Sequence, residues 1–532
     1  MQFRLQAGRT QNGAMEQVLP GISPPPRSPM HPKTILATLA LLTAVLFYLT
    51  HNRTGLPRVG GKGPIGFILT ALRSIMSYEE LLNEGWQKFG GKPFILPTMA
   101  GQLIVLGPEN LDLVRTSDDS VINQPIVVHK LFQLAHTMNS RQMAFPYHAT
   151  VVRTDLTRAI SSFIPEIVEE TQLAMAEAFS PKSGEKSVVV PLFKTVLHFS
   201  ARIVTRAMIS TTLCRNEVYL REIIRFAETV VPYSQILRWF PKAFRPPIYF
   251  LLSSLFGGSK APIKTLLPHL KRLLAEREQH IERNPRTICD FLIDHAPSEE
   301  IANPELLAMR VLHLNFGSVH SLSAVGTFAI FHLATLSAFE LDDIRRELID
   351  ALESEGGFSK SSLSKMCKLD STLRETARFY RLAFAGLPRF LVKPATLADG
   401  TVIPAGYNIA FPLKRIHYDA TVYPNPEKFE WFRFSNLREE DGSGAKHQFT
   451  TVGKDLLLFG LGRHACPGRF FASMELKILL SHLLLHYDVS LADGAKEVPK
   501  PTVFSSNTIP SLSARAVITP RLGQAGQKFR AV

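Results

Sequence analysis

The stretch Phe459-Gly-Leu-Gly-Arg-His-Ala-Cys-Pro-Gly-Arg-Phe-Phe-Ala472 decides how this chain is read. One cysteine, Cys466, stands among Gly460, Gly462 and Gly468, just before the apolar run Phe471 to Tyr487. Glycines accept positive φ and let a backbone approach a flat ligand closely. A thiolate at a helix start is stabilised by the helix dipole and by amide donors. Arg463, His464 and Arg469 add positive charge around it. Such surroundings suit a soft, anionic metal ligand. Cys214, Cys289 and Cys367 have no comparable setting, and no two cysteines have CxxC spacing. A disulfide-stapled secreted scaffold is therefore excluded, and a reducing compartment is the default.

Outward from this loop the chain reads as mostly helical. Phe163 to Phe179 has helical spacing with acids near its start. Leu306 to Leu336 is long and apolar all round, the mark of a buried helix. Pro93 to Gly107 has the form of two short strands around a Gly101 turn. Leu391 to Phe411 has strand-like pieces around Ala398-Asp399-Gly400 and Pro404-Ala405-Gly406. Ile248 to Phe256 is apolar but too short to cross a bilayer, and two readings stay open: a buried helix, or an apolar surface at a lipid interface. The expected fold is mainly α with small β-sheets.

The whole chain has 532 residues, 45 % hydrophobic and 20 % charged, with 60 Lys+Arg against 46 Asp+Glu, a net charge of +14. That is a globular composition with an anionic partner in view, whether nucleic acid, lipid or acidic protein. Met1 to Lys33 is rich in Pro, Gly, Gln and Ser and reads as a disordered tail. Thr34 to Thr50 is an uncharged run of about 17 residues, at the short edge of a transmembrane span. No small-x-small cleavage site follows it, so a retained anchor is favoured over a signal peptide. Basic residues flank it almost evenly, so charge alone does not orient it. Residues 51–66 read as a Pro/Gly hinge.

The loop at Cys466 resembles the haem-binding loop of the cytochrome P450 superfamily, Phe-x-x-Gly-x-(Arg/His)-x-Cys-x-Gly. Phe459, Gly462, His464, Cys466 and Gly468 fill every fixed position. The resemblance implies haem b with the Cys466 thiolate as axial iron ligand, Phe459 packed beside the sulfur and His464 reaching a haem propionate. Ser371 to Arg381 resembles the family's Glu-x-x-Arg signature, with Glu375 and Arg378 at i, i+3. Tyr423 to Phe434 resembles its Pro-Glu-x-x-Phe…Arg-Phe segment, which implies a structural Glu375–Arg378–Arg433 ion network. The resemblance further implies an Arg389 contact with a haem propionate. His148 and Arg153 fall near the family's Trp-x-x-x-Arg motif, which implies a contact with the other propionate, although no tryptophan stands here. The implied organisation is a tail (1–33), an anchor (34–50), a hinge (51–66), a single large P450-fold haem domain (67–516) and a C-terminal tail (517–532).

One departure is informative. Family members carry (Ala/Gly)-Gly-x-(Asp/Glu)-Thr-(Thr/Ser) beside the oxygen site. Here Gly317-Ser-Val-His-Ser-Leu322 stands instead, with His320 for the acid and Ser321 for the threonine. A serine hydroxyl can donate, and a histidine can carry protons near neutral pH, so a proton relay of altered form is expected. A buried His320 with a backbone partner is the plainer alternative. The pocket wall is expected to draw on Ile122 to Met138, Val319, Leu322, Leu382 to Leu387 with Phe384, and Phe504 to Ile509, an apolar lining for a hydrophobic substrate.

The resemblance implies a membrane-anchored monooxygenase that inserts oxygen from O2 into a hydrophobic small molecule. Its nearest style is that of fungal enzymes of terpenoid and polyketide metabolism. No Gly-x-Gly-x-x-Gly fingerprint is present, so NADPH would act through a separate cytochrome P450 reductase. The expected location is single-pass in the endoplasmic reticulum, with the haem domain in the cytosol. Peroxide-dependent or reductase-independent rearrangement chemistry is an alternative, as is a non-catalytic haem-binding membrane protein. No finger, RRM-like or basic-helix pattern supports a nucleic-acid role.

Overall fold

The computed structural model describes residues 53–521 apart from 282 and 443. The anchor segment and most of the two tails lie outside the described residues. The helices used below are α1 (Gly63–Arg73), α2 (Tyr78–Lys88), α3 (Gln124–Phe132), α4 (Ile160–Ala178), α5 (Leu192–Met208), α6 (Glu217–Arg238), α7 (Arg245–Phe256), α8 (Lys260–Glu278), α9 (Pro304–Leu333), α10 (Ala338–Ser354), α11 (Cys367–Tyr380) and α12 (Arg469–His486).

The 30-residue α9 runs through the core. Asn303 accepts a hydrogen bond from the Glu305 N–H, and Pro304 occupies the first turn, where its missing N–H costs nothing. Its apolar surface is covered mainly by α5, α8, α11, α6 and α12. It is long and apolar enough to cross a membrane, yet most of it is buried in protein, as expected for a core helix. A large apolar cluster joins it to α4, α5, α6, α8, α11 and α12.

The small sheets stand beside this helical mass. β1 (Phe94–Thr98) and β2 (Gly101–Val105) form the expected hairpin, with Thr98 opposite Gly101 at φ 109°. They join β3 (Ile122–Asn123), β5 (Ala385–Leu391) and β8 (Asn408–Pro412) in a sheet of order β1-β2-β8-β5-β3, in which only β2–β8 is parallel. β4 (Val188–Pro191), β9 (Tyr487–Leu491) and β12 (Arg515–Pro520) form a second sheet. β6 (Ala395–Thr396) with β7 (Val402–Ile403), and β10 (Thr502–Phe504) with β11 (Asn507–Ile509), are small ladders. The β5–β8 register shifts between Gly386 and Arg389, a bulge at which Leu387 takes φ 51°.

Three segment expectations need correction. The described part of the hinge is tied to the body: Ile95 N–H donates to Pro57 O at 2.8 Å, Val59 N–H to Ile95 O at 3.1 Å, and α1 begins at Gly63. The C-terminal tail starts too early at 517, because Val517 to Pro520 complete β12, with Ala516 and Ile518 alternating into the core. The buried-helix reading of Ile248 to Phe256 fails: α7 buries no residue and exposes Phe250, Leu251, Leu255 and Phe256. A similar exposed apolar face lies on and after α1, at Ile65, Ile68, Leu69, Leu72 and Met76.

Candidate active site

Cys466 sits at the entry to α12, held by its own loop. Its N–H donates to Phe459 O at 2.7 Å, and Arg469 Nη1 donates to Cys466 O at 2.9 Å. Gly460 and Gly462 have φ 78° and 69°, and a Cβ on Gly462 would stand 2.9 Å from Arg115 O, so both glycines are demanded by the turn. Burial pushes the Cys466 thiol up, opposed by the Gly468 N–H and the Arg469 charge. Phe459 packs edge-on to buried Phe449, with ring centroids 5.1 Å apart. Cys214, by contrast, is an ordinary buried thiol, pushed up to about 12 by burial.

Cys466, Phe459 and His464 line a cavity of about 610 Å³ together with Arg389, Leu382, Ala383, the 385–388 segment, part of α3 and the 505–507 turn. Arg389 is 3 % exposed, and its Nη1 donates only to Pro388 O, at 3.0 Å. Burial lowers this guanidinium to about 10, so it stays charged at neutral pH, without a carboxylate at ion-pair distance. A buried cation with no counter-charge is costly unless an anion comes to it.

Several predicted roles shift. The expected propionate contact of His464 is met by the chain itself: its Nε2 lies 2.6 Å from Asp119 Oδ1, while Arg463 pairs with Asp118 at 3.0 Å. The two acids lie opposite the two bases, a match nothing local in the sequence announced. Arg153 is exposed in a π-turn, Val152–Leu156, and donates to Arg463 O at 3.2 Å; it is near the loop but not among the cavity-lining residues. His148 turns toward α9 instead, its Nδ1 accepting from Arg310 Nη1 at 2.8 Å. Arg310 is held in turn by buried Glu300, to which Tyr147 also donates. Phe384, Val319 and Leu322 pack into the core rather than into this cavity, while Gln124, Val127, Leu131 and Ser505 to Asn507 do line it.

In mid-α9, Gly317 and Ser321 are exposed at i, i+4, although the turns that follow are buried. A Cβ on Gly317 would meet nothing within 4 Å. The Ser321 hydroxyl donates to Gly317 O at 3.0 Å and to Ser318 O at 3.1 Å. His320 Nδ1 is buried with no hydrogen-bond partner, so the backbone partner of the plainer alternative is absent at that atom. Burial lowers His320 to about 4, so the ring is neutral at pH 7 rather than poised near neutrality.

Glu375 and Arg378 sit on α11 with no exposed surface. Arg378 Nε and Nη2 donate to the two Glu375 oxygens at 2.7 and 2.8 Å. Arg433 Nε donates to Glu375 Oε1 at 3.3 Å, and the remaining Arg378 donors reach carbonyls of His417, Pro426 and Lys428. The i, i+3 spacing, with Arg433 supplied from beyond the sheet, therefore produces a buried cluster.

A thiol at a glycine-rich helix entry, a buried arginine without a carboxylate partner in the lining of the same cavity, and the open position at Gly317 on the core helix fit a flat, iron-bearing cofactor with acidic edge groups. This combination of fold and site defines a haem-thiolate oxygenase class. The chain belongs to the cytochrome P450 family, whose model matches residues 72–512, and is thus an oxidoreductase of the oxygen-incorporating monooxygenase kind. That family implies haem with a cysteine thiolate ligand, O2, a hydrophobic substrate and a redox partner. The chain is 32 % identical over 92 % of its length to cytochrome P450 monooxygenase 103 of Postia placenta, covering 98 % of that protein. It is also 29 % identical to cytochrome P450 monooxygenase CYP512U6 of Ganoderma lucidum, over 88 % of this chain and 92 % of that one. Among solved structures, retinoic acid-bound cyanobacterial CYP120A1 shares the fold, with TM-score 0.65 and 18 % identity over 88 % of this chain and 99 % of that one.

Proposed function

We propose that the chain is a membrane-anchored monooxygenase of fungal type, acting on a hydrophobic small molecule of terpenoid or polyketide character, with Cys466 as the residue that would hold the iron of haem b. The observation that carries the reading is the shared cavity: Cys466 at one end, the unpaired Arg389 beside it, and largely apolar walls. Cys466 would hold the iron, and Arg389 the acidic edge of the macrocycle. When bound, the haem supplies activation of O2 and insertion of one oxygen atom into the substrate. Gly317 leaves room on the α9 side, and the apolar walls orient substrate and exclude water. Ser321 Oγ, exposed on α9 but not among the residues that line this cavity, would hold a proton on that side once it rotates from the Gly317 carbonyl. His320, neutral at pH 7, passes a proton only by giving up one ring N–H as the other nitrogen accepts.

Electrons would come from NADPH through a separate reductase. The anchor at 34–50 would place the body at the endoplasmic reticulum surface, on the cytosolic side. The exposed apolar faces of α1 and α7 favour contact with the lipid interface. The relatives' fungal origin supports a secondary-metabolic substrate.

The test is the carbon monoxide complex of the reduced, haem-loaded protein. A red-shifted Soret band typical of thiolate ligation is expected, and it should vanish in Cys466→Ala. A band typical of histidine ligation would sink the assignment. Product analysis with a reductase and terpenoid or polyketide scaffolds then addresses the substrate. A second reading, use of peroxide in place of the reductase, is favoured by the neutral His320 where family members carry an acid; turnover with hydrogen peroxide alone would separate the two.

A further inference from the structure

The cavity that Cys466 lines is also lined by Ser74, Ile75 and Tyr78, the β1–β2 turn, and Gln235, Arg238 and Trp239 at the end of α6, where exposed Trp239 marks the side open to solvent. Its lining contains no aspartate or glutamate but three arginines, Arg238, Arg381 and Arg389. Two are accounted for. Arg381 Nη1 donates to Glu79 Oε1 at 2.9 Å. Arg389 lies beside the Cys466 loop, since its charged neighbour Asp119 is the residue that His464 holds.

Arg238 has no such partner. Its Nε makes a long 3.3 Å hydrogen bond to Ser234 O, and no carboxylate of the described residues is at ion-pair distance. Its electrostatic neighbours are Tyr78 and another cation, Arg245, neither on the Cys466 loop. Burial lowers Arg238 to about 10, which still leaves it charged at neutral pH. A helix C-terminus favours a cation, which explains the Ser234 contact. It does not explain a guanidinium in the lining of an acid-free cavity, where an unpaired charge is costly.

We infer that Arg238, assisted by Tyr78, receives an anionic group of the substrate at the outer end of the cavity, so that the substrate is a hydrophobic molecule bearing a carboxylate. A guanidinium offers paired N–H donors that match a carboxylate, and a phenol O–H adds a further donor. With the carboxylate fixed there, the apolar remainder extends toward Cys466 and oxidation falls at the far end of the molecule. This rests on the monooxygenase reading above and deepens it by naming the substrate's polar group.

The test uses full-length, haem-loaded enzyme in neutral detergent, with calorimetric titration of two acid/ester pairs of different shape: palmitic acid with methyl palmitate, and abietic acid with methyl abietate. In at least one pair the acid should bind tighter than its ester by about tenfold or more, the size of a charge-assisted hydrogen bond. Arg238→Gln should bring that ratio to near one by weakening the acid alone, Arg238→Lys should retain part of it, and Tyr78→Phe should reduce it less. Equal binding of acid and ester in both pairs overturns the inference, as does a preference that survives Arg238→Gln. An Arg238 effect confined to binding of phosphatidylglycerol vesicles, with the acid/ester ratio unmoved in detergent, assigns the residue to a lipid phosphate and also overturns it. The carbon monoxide band, read on the same samples, reports the thiolate assignment separately, so failure of one reading is not mistaken for failure of the other.

Discussion

Arg378 Nε and Nη2 donate in parallel to the two Glu375 oxygens, 2.7 and 2.8 Å away, and neither side chain has any exposed surface. Removing one partner of a buried, hydrogen-bonded ion pair strands the other. Glu375→Ala would leave Arg378 without its acid and Arg433 with Glu430 alone. It should destabilise the protein by about 3–5 kcal/mol or abolish haem retention. The measurement is the urea midpoint and the haem-to-protein ratio of purified protein; a midpoint within error of the parent would contradict a structural role.

Gly317 separates stability from chemistry. Because a Cβ there meets nothing within 4 Å, Gly317→Ala should fold normally and gain up to about 1 kcal/mol from helix propensity. The added methyl projects into the open side of α9, so turnover of bulky substrates should fall and the oxidised position should shift. Thermal melting and product profiles check the two halves; a lowered melting temperature would mean that the glycine is needed for close packing.

Ser321→Ala removes a hydroxyl whose present acceptors are backbone carbonyls, so the fold should be indifferent to it. If the hydroxyl serves proton delivery, NADPH consumption should continue while product per NADPH drops several-fold. Unchanged coupling would remove Ser321 from the mechanism. His320→Ala should show the same loss, with a spectrum that stays thiolate-like.

Acid sensitivity follows from the buried imidazoles. Burial lowers His313 and His320 to about 4, and His148, His332 and His417 to about 3, from an ordinary 6.5. Well above pH 6.5 each ring is neutral whether folded or unfolded, so their contribution to pH dependence fades by about pH 7.5. Below it the unfolded chain binds protons first, and stability falls by up to about 1.4 kcal/mol per pH unit for each ring. The penalty saturates near pH 3–4, where the folded rings themselves protonate. Urea midpoints should level off above about pH 7.5 and drop with growing steepness from pH 7 to 5. His332→Phe should shallow that slope, since His332 already stacks on Phe429 at 3.5 Å.

Phe250→Glu with Leu255→Glu should lower membrane association of a chain beginning at residue 53, because both side chains are exposed on α7. Vesicle co-sedimentation measures it; equal sedimentation would free α7 from a lipid role.

Patterns that repeat locally are legible in the sequence itself. The thirty apolar-rich residues of α9, the Gly101 hairpin and the glycine-framed Cys466 loop each carry their own signal. So does Glu375–Arg378, although its burial needed Arg433 from a distant segment. What escaped depends on pairs brought together by tertiary packing. Asp119 meets His464 across 345 positions, and Tyr147 meets Glu300 across 153. Arg238 is an unremarkable helix-terminal arginine until the cavity's lack of acids is seen. Phe384 and Val319 match the family's cavity-wall positions, yet the local backbone turns them into the core.

The bulge in β5 has a consequence for how such an enzyme changes over time. Ala385 and Gly386 are pinned to Pro412 and Phe411 on one side of it, and Arg389 and Phe390 to Ile409 and Asn408 on the other. The two halves are therefore registered independently. Substitutions at Leu382, Ala383, Ala385 or Gly386 would reshape the cavity wall, while the bulge at Leu387 and Pro388 takes up the displacement and Arg389 keeps its register with Ile409. A lineage can wander through substrate preferences in single steps without once having to rebuild the seat of its cofactor.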